Sequence, residues 1–119
     1  MKLKLIFISL LALTFVCCGD DDDNMMTDDC DTSGITYTNT VASIINGSCS
    51  IPGCHVPNSS TFSMIDYNAT FIAAGFGSMV GALNHEPGFT PMPNPPGSPR
   101  IAQCDIDKIE AWIADGAPE

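Results

Sequence analysis

NGSCSIPGCHVPN, residues 46–58, holds two cysteines, Cys49 and Cys54, with four residues between them and His55 directly after the second. Two thiols and an imidazole this close suit three chemistries. Covalent haem attachment needs two thiols that reach the two vinyl groups and a histidine that meets the iron from the same side. Its usual pattern is CxxCH; here it is CxxxxCH, with two further residues between the cysteines. A zinc site needs four nitrogen or sulfur ligands, and Cys49, Cys54, His55 and Cys104 form such a set on paper. Adjacent Cys54 and His55 project in different directions, however, and the second half of the chain has no CxxC or HxxxH pair. In the third reading Cys49 and Cys54 close a small disulfide loop with His55 exposed, and the chain is a secreted binding or structural module.

The ends of the sequence bear on the compartment. Residues 1–18 read as a targeting segment: Lys2 and Lys4 lead into LIFISLLALTFVCC, a run too short to span a bilayer. It ends in FVCCGDDDDN, which resembles the end of a bacterial lipoprotein signal, with Cys18 as the lipid-carrying residue and Cys17 in the small-residue position before it. Cleavage there leaves Arg100 and Lys108 against all 14 acids, 2 minus 14, or −12. Such a balance argues against nucleic acid and anionic lipid as partners, because phosphate neutralisation needs Lys and Arg. Seven of the acids lie in GDDDDNMMTDDCD, so residues 19–33 read as an acidic flexible leader. Residues 34–119 remain as one small domain, a size that often leans on a disulfide, metal or cofactor.

Within that domain, Val41, Ile44 and Ile45 share a face at helical spacing, with Thr38 or Asn39 as N-cap and Gly47 as the left-handed residue that ends the helix. YNATFIAAG and SMVGALN predict two more short helices. EPGFTPMPNPPGSPR, residues 86–100, carries six prolines and must be extended or turning. The last helix is the clearest: Ile106, Ile109, Trp112 and Ile113 form a stripe, Asp105 and Asp107 suit its first turn, and Gly116 ends it. The expectation is an all-α fold of three to four short helices with long loops, and long ordered loops in a small domain are usually functional. No hydrolase signature is present: there is no GxSxG, HExxH or Gly-rich phosphate loop.

If an iron binds His55, a second axial ligand follows from the chemistry, and a Met thioether opposite His raises the reduction potential. Met92 in TPMPNPPG is the candidate, stiffened by a proline on each side. His85 is the alternative distal ligand. Met64 and Met79 lie in apolar settings that suit core packing. With these pieces in place, the chain resembles a small class I c-type cytochrome domain of the lipoprotein kind found in Bacteroidetes and related bacteria. TVASIINGSC, CSIPGCH, MIDY, HEPGFTPMP and CDIDKIEAWIADGAP carry the likeness, over about residues 36–118.

That resemblance implies a cytochrome c-like fold in which the first and last helices pack, and one haem c held covalently through Cys49 and Cys54. It implies His55 as proximal and Met92 as distal ligand. The implied role is electron transfer at the cell envelope without transformation of a substrate, in a lipid-anchored monomer. Ile44, Ile45, Phe71, Phe76, Phe89, Ile109, Trp112 and Ile113 are the expected pocket and packing residues. The closing helix departs from the family pattern in having Ala102 as N-cap where Ser is usual. Cys30 and Cys104 are then left over, and in an oxidising compartment they suggest a disulfide. The acidic balance implies a redox partner with a basic face, whose association weakens with salt.

Overall fold

The computed structural model describes residues 29–95 and 97–119. The expected signal segment, the lipidation site at Cys18 and residues 19–28 of the acidic leader lie outside the described residues. The described part is all-α, with no strand among the described residues. A π-helical turn, Tyr37–Val41, runs directly into α1 (Ala42–Ser48), followed by α2 (Tyr67–Gly75), α3 (Met79–Leu83) and α4 (Gln103–Ala114).

The chain enters the first helical segment through a capping box. The Thr36 hydroxyl accepts from the Asn39 amide at 3.2 Å, and the Asn39 side-chain oxygen accepts from the Thr36 amide at 2.9 Å. The cap therefore sits at Thr36, with Asn39 as its N3 partner rather than as the cap itself. Gly47 is also displaced from its expected role. It lies inside α1 with an ordinary backbone, because buried Ile44 and Ile45 hold the last turn and the Ile45 carbonyl accepts from the amides of both Cys49 and Ser50 at 2.8 Å. Helix α1 thus delivers Cys49 at its C-cap. Asp66 caps α2 by accepting from the Ala69 amide at 2.8 Å.

Helix α4 follows its predicted stripe: Ile106, Ile109 and Trp112 are fully buried, and Ile113 is half-buried. Its N-cap, Ala102, offers no side-chain hydrogen bond. The start is secured instead by covalent chemistry at the second residue of the helix, where Cys104 is bonded to Cys30 with Cα atoms 5.5 Å apart. Helix α4 packs against the π-helical turn and against α3, while α2 packs on α3. Val41, Ile45 and the α4 stripe form the centre of the core.

The end of the domain is tied back to its beginning. Gly116, at φ 88, turns the chain out of α4, a conformation open to glycine without strain. The Pro118 carbonyl then accepts from the Tyr37 amide at 2.9 Å and from the Trp112 indole at 2.8 Å, and the Tyr67 hydroxyl donates to the Ala117 carbonyl at 3.0 Å. The three aromatic rings pack on one another, Tyr37 edge-on to Tyr67 with centroids 5.5 Å apart and tilted on Trp112 at 6.4 Å.

The Cys30–Cys104 bond spans 74 positions and so encloses most of the described chain. A loop of that size restricts the unfolded ensemble by about 4 kcal/mol in the chain-entropy account. Replacing Cys104→Ser is expected to lower the unfolding free energy by roughly 2–4 kcal/mol, read from the denaturant midpoint at an unchanged slope.

Candidate functional site

The loop that follows α1 folds the spacing between the cysteines into a turn. The Cys54 amide donates to the Ile51 carbonyl at 2.9 Å, closing Ile51-Pro52-Gly53-Cys54, and Gly53 stands at φ 86. Pro followed by Gly at the two central positions is the type II signature, in which the third residue needs a positive φ. The extra residues of CxxxxCH are thereby absorbed. The chain doubles back so that the His55 amide reaches the Cys49 carbonyl at 3.0 Å.

His55 is buried, at 9% exposure, and its ring is fixed by the next stretch of chain. Its Nδ1 lies 2.9 Å from the Phe62 carbonyl, and the Phe62 ring packs against the imidazole with centroids 4.6 Å apart. A carbonyl can only accept, so Nδ1 carries the proton and Nε2 of the neutral ring carries the lone pair. Nε2 has no hydrogen-bond partner among the described residues. Uncharged groups hold the rest of the loop: Met64 donates its amide to the His55 carbonyl at 3.0 Å, the Ser50 hydroxyl donates to the Met64 carbonyl at 2.9 Å, and the Thr61 hydroxyl donates to the Cys54 carbonyl at 2.9 Å.

Two cavities meet at this histidine. One, of about 460 Å³, is walled by Ile45, Phe62, Met64, Met79 and Phe89 among others. The second, of about 340 Å³, is walled by Ile51, Cys54, Thr61, Pro93 and Ile101 among others. Cys49, His55, Leu83 and Met92 line both, and among the described residues no Asp, Glu, Lys or Arg lines either. Each volume falls within the roughly 300–1,000 Å³ of small-molecule sites, and the apolar walls with a few convergent polar groups match the usual make-up of such sites.

Met92 reaches the cavities from the proline-rich segment. Its amide donates to the Ala82 carbonyl at 3.0 Å, and its carbonyl accepts from His85 Nε2 at 3.0 Å. His85 itself lines neither cavity. Phe89 packs on α3 at Gly81, where a Cβ would stand 2.5 Å from the ring, so the glycine is what lets this wall close in.

Several expected pocket residues stand elsewhere. Phe71 and Phe76 are 45% and 74% exposed and line neither cavity. The reason is the face α2 turns inward: Thr70, Ala73 and Ala74 are the buried residues, and their small side chains let the helix approach closely while Phe71 and Ile72 point out. Ile45 and Phe89 do line the larger cavity, whereas Ile44, Ile109 and Trp112 belong to the helix core. Met64 and Met79, read as core packing, also face that cavity, and Phe62 and Leu83 were not foreseen. The signal for Phe62 was a lone aromatic in the polar stretch SSTFSM, seven residues after His55.

Cys49 and Cys54 carry free, half-buried thiols. Cys104, the fourth member of the paper zinc set, is committed to Cys30, and no group of three or more His, Cys, Asp or Glu side chains that could hold a metal ion occurs among the described residues. No protein-family model matches this chain, and no curated protein or solved structure is significantly similar to it.

Burial pushes the Cys49 thiol up to about 11 from 9.0, with the neighbouring Cys54 adding to the shift. The neutral form is the favoured one, and the thiolate is the nucleophile. Between pH 9.0 and about 11 the unfolded chain loses this proton and the folded chain keeps it, so the residue's contribution to stability is intact below that window and lost across it. In chain carrying no thioether bonds, alkylation of Cys49 is expected to be slow at neutral pH and to rise about tenfold per pH unit up to its own titration, as peptide mass mapping after timed labelling would read.

Proposed function

We propose that this chain is a monohaem c-type cytochrome domain that passes single electrons at the cell envelope, tethered there by a lipid on Cys18. One observation carries the reading: a buried histidine with Nδ1 held by a backbone carbonyl and Nε2 free stands where two charge-free cavities meet, beside the thiol of Cys49 and the thioether-bearing Met92. The residues present supply the donor types haem needs: two thiols, an imidazole nitrogen without a hydrogen-bond partner and a thioether. Cys49 and Cys54, the two free thiols among the described residues, would take its vinyl groups, His55 would bind the iron through Nε2, and Met92 would supply the second ligand. Under this reading the helices adopt a cytochrome c-like arrangement, with α4 against the entry to α1.

Haem, when bound, supplies the reversible one-electron change of its iron; the chain supplies the setting. The Phe62 carbonyl orients the His55 ring and makes it a stronger donor, as hydrogen-bonded partners of ligating histidines do. A Met thioether as second ligand from Met92 would raise the potential and would close the iron to small molecules. Uncharged cavity walls disfavour an added positive charge and so favour the reduced state. The excess of acids among residues 29–119 favours a redox partner with a basic face.

A reduced pyridine haemochrome spectrum of protein from its native host is expected to show two thioether links, and intact-mass measurement one added haem. His55→Ala should abolish the Soret band. Met92→Ala should keep the haem, lower the potential and admit carbon monoxide. Colourless, folded native protein with Cys49 and Cys54 joined to each other would instead establish a disulfide-stabilised module.

A further inference from the structure

The segment between α3 and the proline-rich stretch closes on itself at one carbonyl. The amides of His85 and Met92 both donate to the Ala82 oxygen, at 3.3 and 3.0 Å, and the Glu86 amide donates to the Gly81 oxygen at 2.9 Å. Residues 85–92 therefore form a strap that leaves α3 and returns to the same point. Pro91 and Pro93 flank Met92 and have no N–H, so across residues 91–93 the one backbone donor is that of Met92, already used on Ala82. A methionine side chain has three rotatable bonds and holds no direction by itself. What fixes its backbone on the other side is His85, whose Nε2 lies 3.0 Å from the Met92 carbonyl.

His85 is held for this task at some cost. It stands at φ 56, in the left-handed region that non-glycine residues adopt rarely and that His, Asn and Asp tolerate best. Such conformations persist where the surroundings determine them. The carbonyl can only accept, so Nε2 carries the proton and is engaged by Met92; the residue lines neither cavity, whereas Met92 lines both.

We propose that His85 is the positioning residue for the distal ligand: its Nε2–H fixes the Met92 carbonyl and thereby holds the thioether at the two cavities that His55 also lines. This role rests on the haem reading above. It makes the second histidine of the chain a clamp and not a rival ligand.

The test uses the haem-loaded full chain and three variants. His85→Asn suits the left-handed backbone but falls short of the Met92 carbonyl; His85→Gly removes the imidazole and relieves the backbone at the same time; His85→Gln returns an N–H at about the reach of Nε2 and is no substitute as an iron ligand. In the Asn and Gly variants the Met92 amide is expected to exchange with solvent about 2- to 10-fold faster, the factor one lost hydrogen bond implies. The weak red band of thioether-ligated ferric haem should fade, and carbon monoxide should reach the ferrous form. Gln should restore all three properties. If Gln fails alongside Asn and Gly, His85 is itself the ligand and the proposal falls; it falls equally if Asn and Gly leave every readout as in the wild type. Failure of the haem reading shows itself separately, as a wild-type chain with no Soret band.

Discussion

The hydrogen bond from His55 Nδ1 to the Phe62 carbonyl fixes what the central loop can do, because it settles which nitrogen holds the proton and which way the other one looks. It depends in turn on a backbone path that is costly to assemble from uncharged pieces. The Pro52-Gly53 turn returns the chain to Cys49, the Ser50 and Thr61 hydroxyls pin the loop at Met64 and Cys54, and Phe62 lies across the imidazole it holds. Breaking any of these would loosen the ring before it disturbed the helices.

The two histidines divide the work around the cavities in parallel ways. Each gives one ring N–H to a backbone carbonyl, His55 to hold its own ring and His85 to hold Met92. The apolar residues are divided too. Val41, Ile106, Ile109 and Trp112 make a dry core on one side, while Met64, Leu83 and Phe89 leave space on the other. A chain this short has few large side chains to fill both regions, and the second is where a prosthetic group would add the missing interior under the proposed reading.

The sequence was most readable where one periodicity had no competitor. In α4 the spacing of Ile106, Ile109 and Trp112 leaves a single inward face, and burial follows it. It was least readable in α2, whose residues are apolar nearly all round, so that Phe71 looked like a core residue when the close approach of Ala73 and Ala74 turned it outward. Gly47 looked like a helix stop because glycine usually is one; the burial of Ile44 and Ile45 carried the helix past it. Of the residues that line the cavities, Cys49, Cys54, His55 and Met92 stand out in the sequence by residue type and flanking prolines. Phe62 was not, because it acts through a backbone carbonyl, and any residue type provides one. His85 was visible as a histidine but not as a clamp, since its partner is again main chain.

The bond between Tyr37 and Pro118 has a bearing on when the domain can form. Its two halves are 81 positions apart, and the Tyr37–Tyr67–Trp112 cluster closes only around the segment that carries Ala117 and Pro118. A growing or threading chain therefore lacks its closing contacts until residue 118 has emerged. Up to that moment the entry to the first helical segment and the end of α4 are not tied to each other, and the last few residues act as the latch that joins them.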